Sequence, residues 1–367
     1  MLRRAVLNYL SKLSQLRSYG GQVWPLSKPV SAGTALRTPR ITDALARFGA
    51  SLLGRTVGLM ALSALLAFGH WGSFASAQNV PVEVVVTIPP LADWVQQVGG
   101  ERVRVTTLLT PGTSPHTFEP SPAEMRKIST AQLFVQVGLG LDDWGARLAK
   151  VANGKVRVLS LGEYLRERKL LPDIDELNSG TVEILNHAHA SHESDHTHGH
   201  YDPHFWLDPH LAQQCVEEIR NQLKTIDATG VAEYDANCQR YVSKLATLDR
   251  ELREELRGCT GKGMVNYHNA FAYFARRYGL RIAGVIEEYA GKTPSERYLR
   301  ELTREVKKRG VSVIFAEPQF NPRLAEILAT EAGARVETLD PLGSGKPGSY
   351  EFTLRELARK IRQALCP

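Results

Sequence analysis

Eight of the chain's eleven histidines fall within the 25 residues from Asn186 to His210. The first part of this stretch is a comb: His187, His189, His192, His196, His198 and His200 stand among small residues and the acids Glu193, Asp195 and Asp202. Nothing apolar anchors it. The second part, Asp202 to Pro209, reads Asp-Pro-His-Phe-Trp-Leu-Asp-Pro and holds His204 between bulky side chains that would fix its position. A loose comb beside a rigid single imidazole suits a protein that collects a transition metal and seats it in a separate, ordered site. Ordering the comb around an ion costs about 1–2 kcal/mol per backbone residue, so it should bind more weakly than a preformed site. Its simplest alternative role is a solvated linker.

Two further histidines stand in ordered contexts. His116 lies in a loop stiffened by Pro115, Pro120 and Pro122, and His268 follows directly on the run Met264-Val265-Asn266-Tyr267. Each alone would read more simply as a hydrogen-bonded loop residue. Together with the comb, they point to a metal. Asp340, before Pro341, is the carboxylate that could complete a four-ligand set, with a turn-capping role as its equal alternative. Three neutral imidazoles and one carboxylate match zinc, which takes His nitrogens at about 2.0–2.1 Å in tetrahedral geometry. There is no HExxH helix and no second cluster for a dinuclear site, so binding is favoured over metal-assisted hydrolysis. Glu317, in Phe315-Ala316-Glu317-Pro318, points near the same crevice and reads as structural; His210 reads as a capping or solvent-facing residue.

The elements that must position these residues alternate. From Val82, short β-branched runs (Glu83–Ile88, Arg102–Leu109, Leu133–Val137, Val156–Leu159) are separated by amphipathic stretches, and the pattern restarts near Met264 and continues to Leu365. Strands separated by helices imply βαβ units and parallel sheets, here an α/β chain of two (β/α) lobes. Parallel sheets place ligand-binding loops at the carboxyl ends of their strands, so His116 and His268 should face one crevice from opposite lobes. Between the lobes, Tyr234, Cys238, Tyr241, Leu245, Leu248, Leu252 and Leu256 form one stripe on a single helix about 40 Å long. A rigid linking helix should limit lobe motion to small tilts. Residues 172–203, polar and His-rich, read as disordered. The expected division is a leader over 1–77, an N-terminal lobe over 78–222 with the His-rich loop 186–203, a linking helix over 223–258, and a C-terminal lobe over 259–367.

The formal charge of +6 misleads. Residues 1–77 hold nine of the 45 lysines and arginines but one of the 39 acids, which leaves the remainder with 36 basic and 38 acidic residues, a net −2. No basic face for nucleic acid is left. The leader has a secretory layout: Arg55, an apolar stretch Val57–Phe68 too short to span a bilayer, and Ala75-Ser76-Ala77 as a cleavage site before Gln78. The expected product is a soluble monomer exported to the periplasm. It is not expected to be a lipoprotein, since no cysteine precedes Cys215. In that oxidising compartment Cys215, Cys238, Cys259 and Cys366 allow three pairings. Cys215–Cys238, on successive helices meeting near Thr229-Gly230, and Cys259–Cys366 are the favoured ones.

Five segments carry a resemblance: PHTFEPSP (115–122), DPHFWLDP (202–209), NYHNAFAYFARRYGL (266–280), IFAEPQF (314–320) and TLDPLG (338–343). They resemble those of the metal-specific solute-binding proteins of ABC importers, and the His/Asp-rich loop is similar to that of the zinc-uptake members. The resemblance spans about Val82 to Cys366, in register and order. It implies two lobes bridged by a long helix, zinc carried as cargo between them, and delivery to a membrane permease served by a cytoplasmic ATPase. By motif, His116, His204 and His268 match the family's ligands. In manganese and iron relatives the third position is typically Glu; His268 here favours zinc. Some zinc members have a glutamate beside the first histidine, where this chain has Pro115, so the fourth ligand is either Asp340 or water. A manganese or iron member of the same family, or a periplasmic zinc chaperone, is the alternative.

Overall fold

The computed structural model describes residues 80–152, 155–182, 200–287, 291 and 293–366. The leader, its cleavage site and the comb positions His187, His189, His192, His196 and His198 lie outside them. The first half of the described chain runs β1 (Val82–Val86), α1 (Pro89–Gly99), β2 (Val103–Thr107), α2 (Pro122–Thr130), β3 (Leu133–Gln136), α3 (Trp144–Ala152), β4 (Arg157–Ser160), α4 (Leu161–Glu167) and α5 (Ile174–Asn178). All four strands are parallel, in the order β2-β1-β3-β4. Helices α6 (Pro209–Ile226) and α7 (Val231–Glu255) follow. The second half then repeats the theme: β5 (Gly263–His268), α8 (Ala272–Tyr278), β6 (Arg281–Glu287), α9 (Glu296–Lys308), β7 (Val313–Ala316), α10 (Arg323–Ala332), β8 (Arg335–Thr338) and α11 (Ser349–Leu365). Its parallel sheet has the matching order β6-β5-β7-β8.

These are the two α/β lobes that the alternating pattern anticipates. In each sheet the chain reverses its direction of winding beside the first strand, at the β1/β3 and β5/β7 boundaries. Such a switch point opens a crevice at the carboxyl ends of the strands. The central strands are buried on both faces, as β-branched runs covered by helices should be.

Helix α7 carries the stripe read from the sequence: Tyr234, Cys238, Tyr241, Leu245, Leu248 and Leu252 are all buried. It packs on α6 and α1 of the first lobe and on α11 of the second. One continuous apolar cluster therefore joins Val84, Leu91 and Trp94 of the first lobe, through Tyr241 and Leu245, to Phe315, Leu354 and Ile361 of the second. The corner between α6 and α7 falls at residues 227–230, slightly beyond the expected boundary at 222.

Two expectations need correction. Residues 172–203 are in part ordered: Asp173 caps α5 by accepting from Glu176 N at 2.8 Å, and Leu177 is wholly buried. Val182 pairs with Ile282 on the open edge of β6, where Ile282 N donates to Thr181 O at 2.6 Å. Two buried apolar side chains and an unpaired strand edge outweigh the polar average composition. The second correction concerns the cysteines. Cys259 and Cys366 are joined, with Cα atoms 5.7 Å apart, but Cys215 and Cys238 are free and buried. Cys215 stands about one helical turn, roughly 6 Å, further from the α6/α7 corner than Cys238 does. The Cys238 thiol instead donates to Val216 O at 3.9 Å.

The Cys259–Cys366 bond closes a loop of 107 residues and ties the last helix to the base of β5. Reducing it, or replacing Cys366→Ser, should lower the unfolding free energy by about 2–5 kcal/mol in urea titrations. Non-reducing peptide mapping should find this one linkage, with Cys215 and Cys238 alkylated only after unfolding.

Candidate metal site

His116, His204 and His268 converge from three separate parts of the chain. His116 comes from the loop after β2, held by backbone turns (Thr113 N to Thr110 O, Thr117 N to Ser114 O). Phe118 anchors that loop against Trp144, with ring centroids 5.6 Å apart. A capping box between Ser121 and Glu124 starts α2 at its far end. His204 opens the single 3-10 turn Phe205–Leu207, which leads into α6 through the Asp208 cap. Burial pushes the Asp208 carboxyl up, and the Arg277 guanidinium opposes that rise. His268 is the last residue of β5, at the switch point of the second sheet.

The geometry is compact. His116 Nε2 lies 3.0 Å from His204 Nε2, and His268 Nε2 lies 3.2 Å from the same atom. Among the described residues these three form the one group of His, Cys, Asp or Glu whose candidate ligand atoms all lie within 4.8 Å of each other. A tetrahedral ion with bonds of about 2.05 Å would separate its nitrogens by about 3.3 Å. His204 and His268 are buried, and His116 is partly exposed.

Two carboxylates orient the rings. His204 Nδ1 lies 2.9 Å from Asp202 Oδ1, which also accepts from His204 N at 2.8 Å. His268 Nδ1 lies 2.6 Å from Glu317 Oε1. Both carboxylates are themselves buried. An imidazole that donates Nδ1–H to a carboxylate presents the lone pair of Nε2, and here two such lone pairs meet at 3.2 Å. Without a shared cation that approach is repulsive. Phe320 closes the flank of His268, with centroids 5.1 Å apart, while Trp206 backs His204 at 5.1 Å.

Asp340, the expected fourth member, stands outside the group. Its Oδ1 accepts from Gln319 Nε2 at 2.8 Å and from Leu342 N at 3.0 Å, the turn-capping role that was its alternative reading. His200 is exposed, and its carbonyl accepts from Ile174 N at 2.9 Å. His210 is exposed at the start of α6. Asp202, assigned to the comb from composition, instead belongs to His204. That relation was legible in the Asp-Pro-His spacing, which lets a carboxylate at one position reach the backbone and ring two residues on. Glu317, which reads as structural from the sequence, is bonded to the His268 ring. Pairing of Asn266 with Phe315 between β5 and β7 brings His268 level with Glu317 on one face.

The lobes and the imidazole cluster between them define a two-lobed α/β protein built to hold a single metal ion. Residues 84–364 match the family model described as "Zinc-uptake complex component A periplasmic", and the chain belongs to that family (ZnuA). It is 32% identical over 263 residues to the zinc-binding lipoprotein AdcA of Streptococcus pneumoniae, covering 72% of this chain and 50% of that protein. The chain thus spans about half the length of that relative. To the high-affinity zinc uptake system protein ZnuA of Yersinia pestis it is 29% identical over 288 residues, 77% of this chain and 91% of that one. A crystal structure of ZnuA superposes with a TM-score of 0.64 at 28% identity, covering 78% of this chain and 99% of the other.

If Glu317 orients His268, Glu317→Gln should weaken cobalt and zinc binding about 10–100-fold with little loss of thermal stability. Equilibrium titration monitored by cobalt absorption would check this, and Asp202→Asn should behave alike.

Proposed function

We propose that the protein is the extracytoplasmic zinc-binding component of an ABC importer, holding zinc between its lobes for delivery to a membrane permease with a cytoplasmic ATPase. The single observation that carries this reading is the convergence of three Nε2 atoms, with two of the rings clamped by buried carboxylates. Zinc is the cargo, with His116, His204 and His268 as its ligands. Water fills the fourth position while Asp340 remains bonded to Gln319 and Leu342. An all-nitrogen protein set favours zinc over manganese, which prefers oxygen ligands. The comb residues His187, His189, His192, His196, His198 and His200 serve as a weaker collecting site.

Binding rather than catalysis is also favoured by the carboxylates. A metallohydrolase needs a free general base beside its metal-bound water, whereas Asp202 and Glu317 are engaged with imidazole nitrogens. The protein would act as a monomer. No described helix is long and apolar enough to cross a membrane. A chaperone working without a transporter shares this chemistry, and a permease-binding assay separates the two.

Competitive titration with zinc and manganese tests the site. One tight zinc site should persist when residues 187–200 are deleted. His204→Ala should weaken it by more than about 100-fold, beyond the loss expected for an outer partner. Asp340→Asn should change it less than about threefold. A wild-type preference for manganese, or indifference to His204→Ala, overturns the reading.

A further inference from the structure

The segment that carries His204 is bonded to the opposite lobe at three points. Tyr273 OH donates to Asp202 O at 3.0 Å, Tyr350 OH donates to Trp206 O at 2.7 Å, and Trp206 Nε1 donates to Pro341 O at 2.9 Å. Tyr350 is thus one of the residues that set where His204 stands relative to His268. It lies in the first turn of α11, and that turn has an unusual support.

The first N–H groups of a helix have no partners within the helix and require an acceptor. At α11 the N-cap is Gly348, whose position offers no side-chain cap. The acceptor comes from the other lobe. Asp93, on α1, takes Gly348 N at 2.9 Å on one oxygen and Tyr350 N at 2.7 Å on the other. The same carboxylate accepts from Gln97 Nε2 at 3.2 Å. Asp93 is fully buried. Burial pushes its carboxyl pKa up, while these donors oppose the rise. Placing an acid here is costly unless the bonds across the lobes are kept.

The surrounding surfaces fit closely enough for the carboxylate to reach. Gly345 adopts φ +69°, and a Cβ there would approach Pro89 Cα and O to 3.1–3.2 Å, so the turn before α11 lies directly against the start of α1. Trp94, next to Asp93, meets the Tyr350 ring edge-on with centroids 5.3 Å apart. A continuous path therefore runs from Asp93 to Tyr350, then Trp206, whose ring packs on His204.

We infer that Asp93 is a positioning residue for the metal site: by capping α11 across the lobes it holds Tyr350 and Trp206, and so keeps His204 in register with His268. It touches neither the ion nor a ligand. The inference rests on the proposed reading of the three histidines as the zinc site. Its expected signature is a change in how long zinc stays bound, with the ligand set unaltered.

The test is stopped-flow release of zinc to a chelator from the full chain, with cobalt absorption and thermal unfolding measured in parallel. Asp93→Ala should accelerate release about tenfold or more, and Asp93→Asn, which keeps shape and one acceptor oxygen, should recover part of the loss. Tyr350→Phe removes only the hydroxyl bonded to Trp206 and should accelerate release several-fold, which keeps the inference testable if Asp93→Ala does not fold. Asp227→Ala breaks the Arg102 bond at the α6/α7 corner, off the path, and should lower thermal stability while leaving release within about twofold of wild type. Cobalt bands should stay as in wild type for all four. Release rates that simply follow thermal stability across the set, or wild-type release in both Asp93→Ala and Tyr350→Phe, overturn the inference alone. A wild-type cobalt spectrum that His204→Ala leaves unchanged overturns the metal reading, and this inference with it.

Discussion

Two buried hydrogen bonds between carboxylates and imidazoles, Asp202 with His204 and Glu317 with His268, are the constraint on which the site depends. An imidazole ring can rotate about its bonds to the backbone and can present either nitrogen. Tying Nδ1 to a carboxylate removes both freedoms and leaves Nε2 as the outward acceptor. Two acceptors then face each other at 3.2 Å, a spacing that a shared cation relieves. Burial sharpens this, because the charges and dipoles are screened less than they would be in solvent.

The fold supplies the rigidity that such a constraint needs. His268 ends the first strand of its sheet, and Glu317 follows the neighbouring strand across the switch point, so ordinary parallel pairing delivers the bond. His204 is fixed by the turn into α6, where its neighbour Trp206 donates to Pro341 O and accepts from Tyr350 OH. The apolar cluster around α7 continues from one lobe into the other without interruption. Prising the lobes widely apart would expose that shared core, which the hydrophobic effect opposes. His116, partly exposed and carried on a proline-rich loop, is the one member of the imidazole cluster outside this frame.

The lobes also share polar responsibilities. Helix α11 begins without a capping side chain of its own and takes one from α1. The strand edge of β6 receives Val182, from the segment that follows α5. In both, a backbone N–H of the C-terminal lobe finds its acceptor on the N-terminal one, so the second lobe is not finished alone. The disulfide Cys259–Cys366 closes the C-terminal lobe in a different way, joining the entrance of β5 to the end of α11.

Much of this was open to a reader of the chain alone, because it depends on periodicity and local spacing. The alternation of strands and helices, the apolar stripe of α7, and the three histidines in stiff contexts follow from hydrophobic period and turn chemistry within short windows. The Asp202–His204 bond is equally local. What depended on contacts between distant segments could not be read that way. Pairing between β5 and β7 made Glu317 an orienting residue, Gln319 and Leu342 drew Asp340 away from the ligand group, and unequal distances from the α6/α7 corner left Cys215 and Cys238 as thiols. Asp93 reads as one acid on an amphipathic helix until α11 is folded against it. Local sequence states which groups are present and how neighbouring residues are spaced; which distant group satisfies each buried donor is decided only when the chain closes on itself.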